Sequence, residues 1–465
     1  MAPKFGTSGL RGLVTELTPD LVRAYTSAFL TACPTGGAVH VGWDLRPSSP
    51  DIADSVIAAV LAAGLDAVVH GALPTPALAL ASLDAGQGAV MITGSHIPAD
   101  RNGLKFYTPS GEISKDDEAG INANLTTPEG TGTGARIDAG TAAPDAYVAR
   151  YADAFGALAL AGMRIGVYQH SSVARDIMVR VVEALGAVAV PLARSDIFIP
   201  VDTEAVDPET RAGLAGWCAD NQLDALISTD GDADRPMVAD AQGTIVPGDV
   251  LGPLTARALG ARHICTPVSS NTLVTRMAGF DTVDNTRIGS PFVIAAMETA
   301  LAADPSAKVV GYEANGGFLL GFAADGPAGT LAPLMTRDCL LPILAPLAAA
   351  KAAGQPLADL SAALPPRFTA ADRLTGIAPE RAGRLLNELG TDAGARAAFF
   401  DGVGAETNVD LTDGLRVSFQ GGDVVHLRPS GNAPEFRCYT ESASTVRADE
   451  LLAMHLDKLG SVLNA

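Results

Sequence analysis

The sequence predicts an α/β protein, with three large sheet-and-helix units followed by a smaller α+β unit. Three observations lead there. At 465 residues the chain exceeds what one hydrophobic core supports. Short apolar runs alternate with segments of helical spacing, the rhythm of parallel strands joined by crossover helices. Several of those runs end in loops rich in Gly, Asp, Asn and Ser, and the carboxyl ends of parallel strands are where such folds gather ligands.

In chain order, Val39 to Trp43 reads as a strand, and Asp51 to Gly64 as a helix with a glycine stop. The Thr/Gly-rich stretch Thr126 to Thr141 is expected to be a loop leading to a linker helix around Ala143 to Phe155. A second unit opens at the strand Arg164 to Tyr168. A third begins near Gly248, with Arg262 to Cys265 as a strand and Pro291 to Leu301 as a helix. Pro365-Pro366 marks the last boundary. Beyond it, Ala370 to Leu389 is expected to be partly helical and Leu415 to Tyr439 strand-rich. The expected units are 1–142, 143–247, 248–364 and 365–465.

Composition narrows the function. A net charge of −20 argues against nucleic-acid or anionic-membrane partners, which need a basic surface to displace counterions. No apolar stretch approaches a membrane span, and Met1-Ala2-Pro3-Lys4 has no signal-peptide core, so a cytoplasmic location is expected. Five scattered cysteines without a C-x-x-C pair read as free thiols. Only six lysines occur in the chain, so the placement of Lys105 next to a reactive loop is informative.

That loop is Thr93-Gly94-Ser95-His96-Ile97-Pro98, which follows the apolar run Ala89 to Ile92. Glycine beside the serine removes steric cover, and the turn through Pro98 and Asn102-Gly103 can hold Lys105 near the Ser95 hydroxyl. A second loop, Asp230-Gly231-Asp232-Ala233-Asp234-Arg235, places carboxylates at alternating positions with only small residues between them. Three hard oxygens can there converge on one divalent cation, Mg²⁺ being expected. An EF-hand would carry a glutamate twelfth in the loop, where this chain has Ala241. A third loop, Gly311 to Gly317, presents Glu313 and Asn315, an acceptor and donor pair suited to vicinal sugar hydroxyls. The fourth runs from Arg428 to Arg437, where the two arginines, Ser430, Asn432 and the backbone around Gly431 form a nest for a phosphate dianion.

Together with Lys4-Phe5-Gly6-Thr7-Ser8-Gly9-Leu10-Arg11-Gly12, these four loops resemble, in order and over the whole length, the α-D-phosphohexomutase family of phosphomannomutases, phosphoglucomutases and phosphoglucosamine mutases. The Glu-Ala-Asn-Gly-Gly form of the third loop is most like bacterial phosphomannomutases. The resemblance implies three similar α/β domains with mixed or parallel sheets and a smaller α+β domain around a central cleft. It implies an enzyme interconverting hexose 6-phosphate and hexose 1-phosphate, working as a monomer or homodimer. Ser95 is implied to carry the phosphoryl group, with a sugar 1,6-bisphosphate as intermediate and activator. Asp230, Asp232 and Asp234 would hold Mg²⁺ with a Ser95-borne oxygen, and Lys105 is the candidate proton mediator. Arg11 and Arg235 would steady the transferring group or the sugar. Arg287, Glu313 and Asn315 join the substrate-binding set with Arg428, Ser430, Gly431, Asn432 and Arg437.

His96 has either a general-base or an orienting role under this resemblance, although an extended backbone would turn it away from Ser95. The chain departs from the family at Ser290, where some relatives place a proton acceptor, at Asn432-Ala433 in the phosphate loop, and at Gly94, Ile97 and Ala233. Two alternatives stay open: a phosphoglucomutase or dual-specificity enzyme, and a catalytically silent sugar-phosphate binding protein.

Overall fold

The computed structural model describes residues 3–6, 8–125, 130–429 and 435–463, so the phosphate-loop candidates Ser430, Gly431 and Asn432 lie outside the described residues. Among the described residues no helix is long and apolar enough to cross a membrane. All five cysteines are free and buried.

Three sheets repeat one arrangement. In the first, the parallel strands Asp66–Ala72, Ala38–Trp43 and Gly88–Ile92 lie side by side, and Arg101–Thr108 returns antiparallel beside the last. In the second, Val188–Arg194, Arg164–His170 and Ala225–Thr229 are parallel and Pro236–Asp240 returns antiparallel. In the third the corresponding strands are Thr282–Thr286, His263–Pro267, Val309–Tyr312 and Phe318–Leu320. The sheets are therefore mixed, and the topology carries the likeness between units that residue identity hides.

The serine, metal and sugar loops each occupy the same place: the reversal between the third parallel strand and its antiparallel neighbour. The preceding strands Gly88–Ile92, Ala225–Thr229 and Val309–Tyr312 are buried along their whole length, as continuous apolar or small-residue runs require. A fully buried strand is a rigid support, so each loop is held at its root.

The helix Ser49–Ala62 buries Val56, Ile57 and Val60, and the chain turns out of it at Gly64, whose φ of +81° suits glycine. The linker helix Ala142–Phe155 buries Tyr147, Val148, Tyr151 and Phe155. These pack into one continuous core that includes Leu78 of the first unit, Val181 of the second and Leu344 of the third. The three units thus share apolar packing around the linker.

One expectation is corrected. Thr126 to Thr141 is not wholly loop, because Arg136–Asp138 adds a short strand beside Asp66–Ala72. Ala370 to Leu389 is partly helical as expected: the strand Phe368–Thr375 pairs with Glu435–Ser442, and the helix Pro379–Thr391 follows. This largely exposed edge strand mixes Ala, Asp and Arg with its apolar residues and carries little strand signal. It completes a five-stranded antiparallel sheet in the last unit, with Pro379–Thr391 and Thr445–Leu463 among its helices.

The last unit is fastened to the third by polar contacts. Asn271 Nδ2 donates to the Arg367 carbonyl at 2.9 Å, while Thr272 and Arg367 both reach the Glu441 carboxylate. Ile288 N donates to Asp413 Oδ2 at 2.9 Å.

Candidate active site

The serine loop is shaped by a buried arginine. Asp44 and Arg46 follow the strand Ala38–Trp43, and Asp44 Oδ2 accepts from both Arg46 Nε and Thr93 Oγ1. The Arg46 guanidinium then donates to the carbonyls of Ser95, Ile97 and Pro98 at 2.7 to 2.9 Å. Three carbonyls held by one fork fix the loop's curvature. Ser95 sits at its apex with φ +55°, a left-handed conformation that costs a non-glycine residue roughly 1 kcal/mol and is retained where the surroundings enforce it.

That conformation aims the hydroxyl inward. Ser95 Oγ donates to Asp230 Oδ2 at 2.6 Å, bringing the serine of the first unit onto the metal loop of the second. It also turns His96 back, so that His96 Nδ1 lies 3.3 Å from Ser95 Oγ. The expectation that His96 points away rested on an extended backbone, which the positive φ of Ser95 replaces. Burial, with Arg235 and Arg11 nearby, holds the imidazole well below its usual titration range, so it is neutral here.

The metal loop brings Asp230, Asp232 and Asp234 together, all buried, with ligand oxygens within 4.8 Å of one another. Ala233 takes φ +59° to let successive carboxylates converge. Oδ1 of Asp232 and Oδ1 of Asp234 are buried with no hydrogen-bond partner. Buried, unpartnered carboxylate oxygens in so tight a cluster fit a small hard cation, and a triple carboxylate donor set suits Mg²⁺. Burial and the two neighbouring aspartates push the Asp230 carboxyl well above the usual carboxylate range. Burial also opposes ionisation of Asp232, but the Lys105 ammonium outweighs it and holds that carboxyl below its usual range.

Lys105 Nζ lies 2.6 Å from both Asp232 Oδ2 and Asp234 Oδ2. The sequence placed it near the serine; the structure shows its ammonium engaged by the aspartates. Thr75 adds a second brace, its Oγ1 donating to Asp232 Oδ2 at 2.7 Å and its N–H to the Asp232 carbonyl.

In the sugar loop, Glu313 and Asn315 are both buried. Asn315 Oδ1 accepts from Gly317 N at 3.0 Å, closing the turn. Glu313 Oε2 lies 3.1 Å from Arg337 Nη1. Arg235 reaches toward Asp230, Asp234 and Glu204 at 3.7 to 3.9 Å. Arg11 feels Arg235 and Arg337, and burial together with these two cations lowers its pKa to about 10.

The remaining candidates are less engaged. Arg287 is exposed and stacks over the Phe292 ring, 4.9 Å from its centroid. Arg428 Nε donates to Asp413 Oδ1 at 2.9 Å, the same carboxylate that accepts from Ile288 N of the third unit. Arg437 lies 3.5 Å from Glu435 and is near enough to bear on His96 and Glu204.

Sequence reasoning missed Arg46, Thr75, Glu204 and Arg337. Asp44 and Arg46 were open to the rule that found the other loops, since they directly follow a buried strand. Arg337 offered a weaker signal: Thr336-Arg337-Asp338 are three polar residues inside a buried strand, a place where charge needs a partner.

Comparison with known proteins bears on this geometry. The alpha/beta/alpha domains I, II and III of phosphoglucomutase/phosphomannomutase match residues 2–131, 145–243 and 247–368, and the C-terminal domain matches 387–458. The chain is 44% identical to a phosphomannomutase of Sinorhizobium fredii, over 99% of both chains. It is 41% identical to a phosphomannomutase of Salmonella muenchen, over 99% of this chain and 96% of the other. Its fold is similar to that of a putative phosphomannomutase from Thermus thermophilus, with a TM-score of 0.74, 22% identity and full coverage of both chains. By these matches along its whole length, the chain belongs to the phosphoglucomutase/phosphomannomutase family.

Proposed function

We propose that this chain interconverts hexose 6-phosphate and hexose 1-phosphate, with mannose the preferred sugar, through a phosphoserine at Ser95 and a sugar 1,6-bisphosphate. The observation that carries the reading is Ser95 Oγ at 2.6 Å from Asp230 Oδ2, a nucleophile-grade hydroxyl seated on a triple-aspartate loop. Its family membership and the phosphomannomutases it resembles at 41 to 44% identity support the same reading.

In the first half, a sugar hydroxyl oxygen attacks the phosphorus of phosphoserine, the P–Oγ bond breaks, and the Ser95 oxygen takes up the proton that the sugar gives up. The bisphosphate turns end for end, and the second half runs the same exchange in reverse. Serine phosphate and the sugar phosphates are all phosphate monoesters of comparable energy, so neither direction is strongly favoured. Asp230, Asp232 and Asp234 would hold Mg²⁺, which when bound neutralises charge on the transferring phosphoryl group. Lys105 stays beside the loop as a proton carrier, positioned by Asp232 and Asp234. Neutral His96 orients the Ser95 oxygen through Nδ1. Glu313 and Asn315 accept and donate to sugar hydroxyls. Arg428 and Arg437, with Ser430, Gly431 and Asn432, hold the phosphate that is not reacting.

The test is turnover with mannose 1-phosphate and glucose 1-phosphate, coupled with intact mass of the protein as isolated. A mass increment of one phosphate on Ser95, loss of turnover in Ser95→Ala, and loss on chelation reversed by Mg²⁺ are expected. A faster rate on mannose 1-phosphate separates this reading from a phosphoglucomutase. Full activity of Ser95→Ala would overturn it.

A further inference from the structure

Between the strand Val188–Arg194 and the helix Pro208–Asn221 runs a segment without helix or strand that is nonetheless pinned at several points. Ile199 N donates to Ser171 Oγ at 2.7 Å. The Arg46 guanidinium lies over the Phe198 ring, 4.1 Å from its centroid. Thr203 Oγ1 donates to the Asn315 carbonyl at 3.4 Å. A connection in the second unit thus touches the arginine that shapes the serine loop and the backbone of the sugar loop.

Glu204 follows directly. Its Oε1 lies 3.7 Å from Arg235 Nη1, and its side chain keeps 41% of its surface open. The charged groups that act on it include Arg235 of the metal loop, Asp202 of its own segment, Glu313 of the sugar loop and Arg437 of the last unit, with Asp249 also within electrostatic reach. A part-open carboxylate that feels charges from the metal loop, the sugar loop and the last unit borders the space between them. The mechanism above gives it no task.

The order of charges around it selects the ligand. Arg235, 3.7 Å away, and Arg437 suit phosphates, whereas Glu204 and Glu313, each within the other's electrostatic reach, repel phosphate and accept from neutral hydroxyls. Resting on the mutase reading, we infer that Glu204 is a sugar-positioning residue, accepting a hydroxyl of the hexose as a second carboxylate beside Glu313. Its placement on a connection held by Phe198 and Thr203 makes this segment part of the substrate cleft.

The experiment compares wild type, Glu204→Ala and Glu204→Gln in steady-state kinetics with mannose 1-phosphate and glucose 1-phosphate, and in calorimetric binding of glucose 1,6-bisphosphate. For Glu204→Ala, KM is expected to rise about fivefold or more for at least one sugar while kcat changes less than KM, with a shift in the kcat/KM ratio between the sugars. A smaller KM change for both sugars, or an effect confined to kcat, overturns the assignment. Thermal unfolding checks that the variant is folded, and Glu204→Gln, which keeps the shape, is read by the same criteria if the alanine variant is not. If the wild type turns over neither sugar phosphate, the mutase reading itself fails. The binding arm then decides Glu204 separately: an unchanged Kd for the bisphosphate in Glu204→Ala rejects it, and a weakened one retains it as a ligand-contacting group.

Discussion

Arg337 Nη2 stands 2.7 Å from Asp234 Oδ2 while its Nη1 stands 3.1 Å from Glu313 Oε2, so one buried guanidinium ties the metal loop to the sugar loop across two units. The same Nη2 accepts company from the N-terminal segment, donating to Ser8 Oγ at 3.4 Å. Its strand is anchored one residue on, where Tyr147 and Tyr151 of the linker helix both donate to the Asp338 carboxylate. Linker helix, sugar loop and metal loop are therefore connected through two adjacent residues.

Replacing Arg337 with alanine leaves two buried carboxylates short of their cation. Breaking one side of a buried pair typically costs about 3 to 5 kcal/mol, and that range is the expected loss in urea unfolding. Turnover is expected to fall by about 100-fold or more, since both loops lose their common brace. Arg337→Lys is expected to recover only part of each, because a single ammonium cannot span both acceptors as a fork does. A stability change below about 1 kcal/mol in Arg337→Ala would show that Asp234 and Glu313 do not depend on it.

Gly94 is required by what lies behind the serine loop. A Cβ at this position would stand 2.7 Å from Arg46 Cζ and Nε. Arg46 cannot swing aside cheaply, because its guanidinium is buried and already donates to Asp44 and three loop carbonyls. Gly94→Ala is expected to destabilise the protein by about 2 to 4 kcal/mol and to move Ser95 off Asp230. Differential scanning calorimetry reads the first effect and phosphate incorporation at Ser95 the second. Wild-type values for both would mean that the arginine shifts freely.

These two positions show how far the sequence reached. The serine, metal and sugar loops were legible because each interrupts a buried apolar strand with residues that only a ligand or a turn explains. The free cysteines and the strand-rich final unit were legible on similar local grounds. Arg337 and Glu204 were not, since their partners lie in other units and closeness in space leaves no spacing along the chain. The orientation of His96 was misread for a different reason: it depends on the sign of φ at Ser95, which a non-glycine residue does not advertise. The strand Phe368–Thr375 was obscured because its apolar and polar alternation breaks at Ala371 and Asp372, and only pairing with Glu435–Ser442 defines it.

Asp249 gives the protein a pH dependence whose sign can be worked out. It lies buried in the first turn of the helix Gly248–Ala258, and its Oδ2 accepts from Asn271 N at 2.9 Å. Burial raises its pKa from 3.8 to about 7; the Asn271 hydrogen bond opposes the rise, and Glu441 and Glu204 add to it. The folded state therefore holds this proton more tightly than the unfolded chain does. Its contribution is fully present below pH 3.8, is lost as pH rises toward about 7, and changes little beyond. Asp249→Asn keeps an acceptor for the Asn271 N–H and removes the titration. The variant is expected to gain on wild type progressively between about pH 4 and pH 7, reaching on the order of 2 to 4 kcal/mol near pH 8. Urea midpoints of both proteins measured across that range supply the check, and a difference that stays constant with pH would show that Asp249 ionises as freely in the fold as outside it.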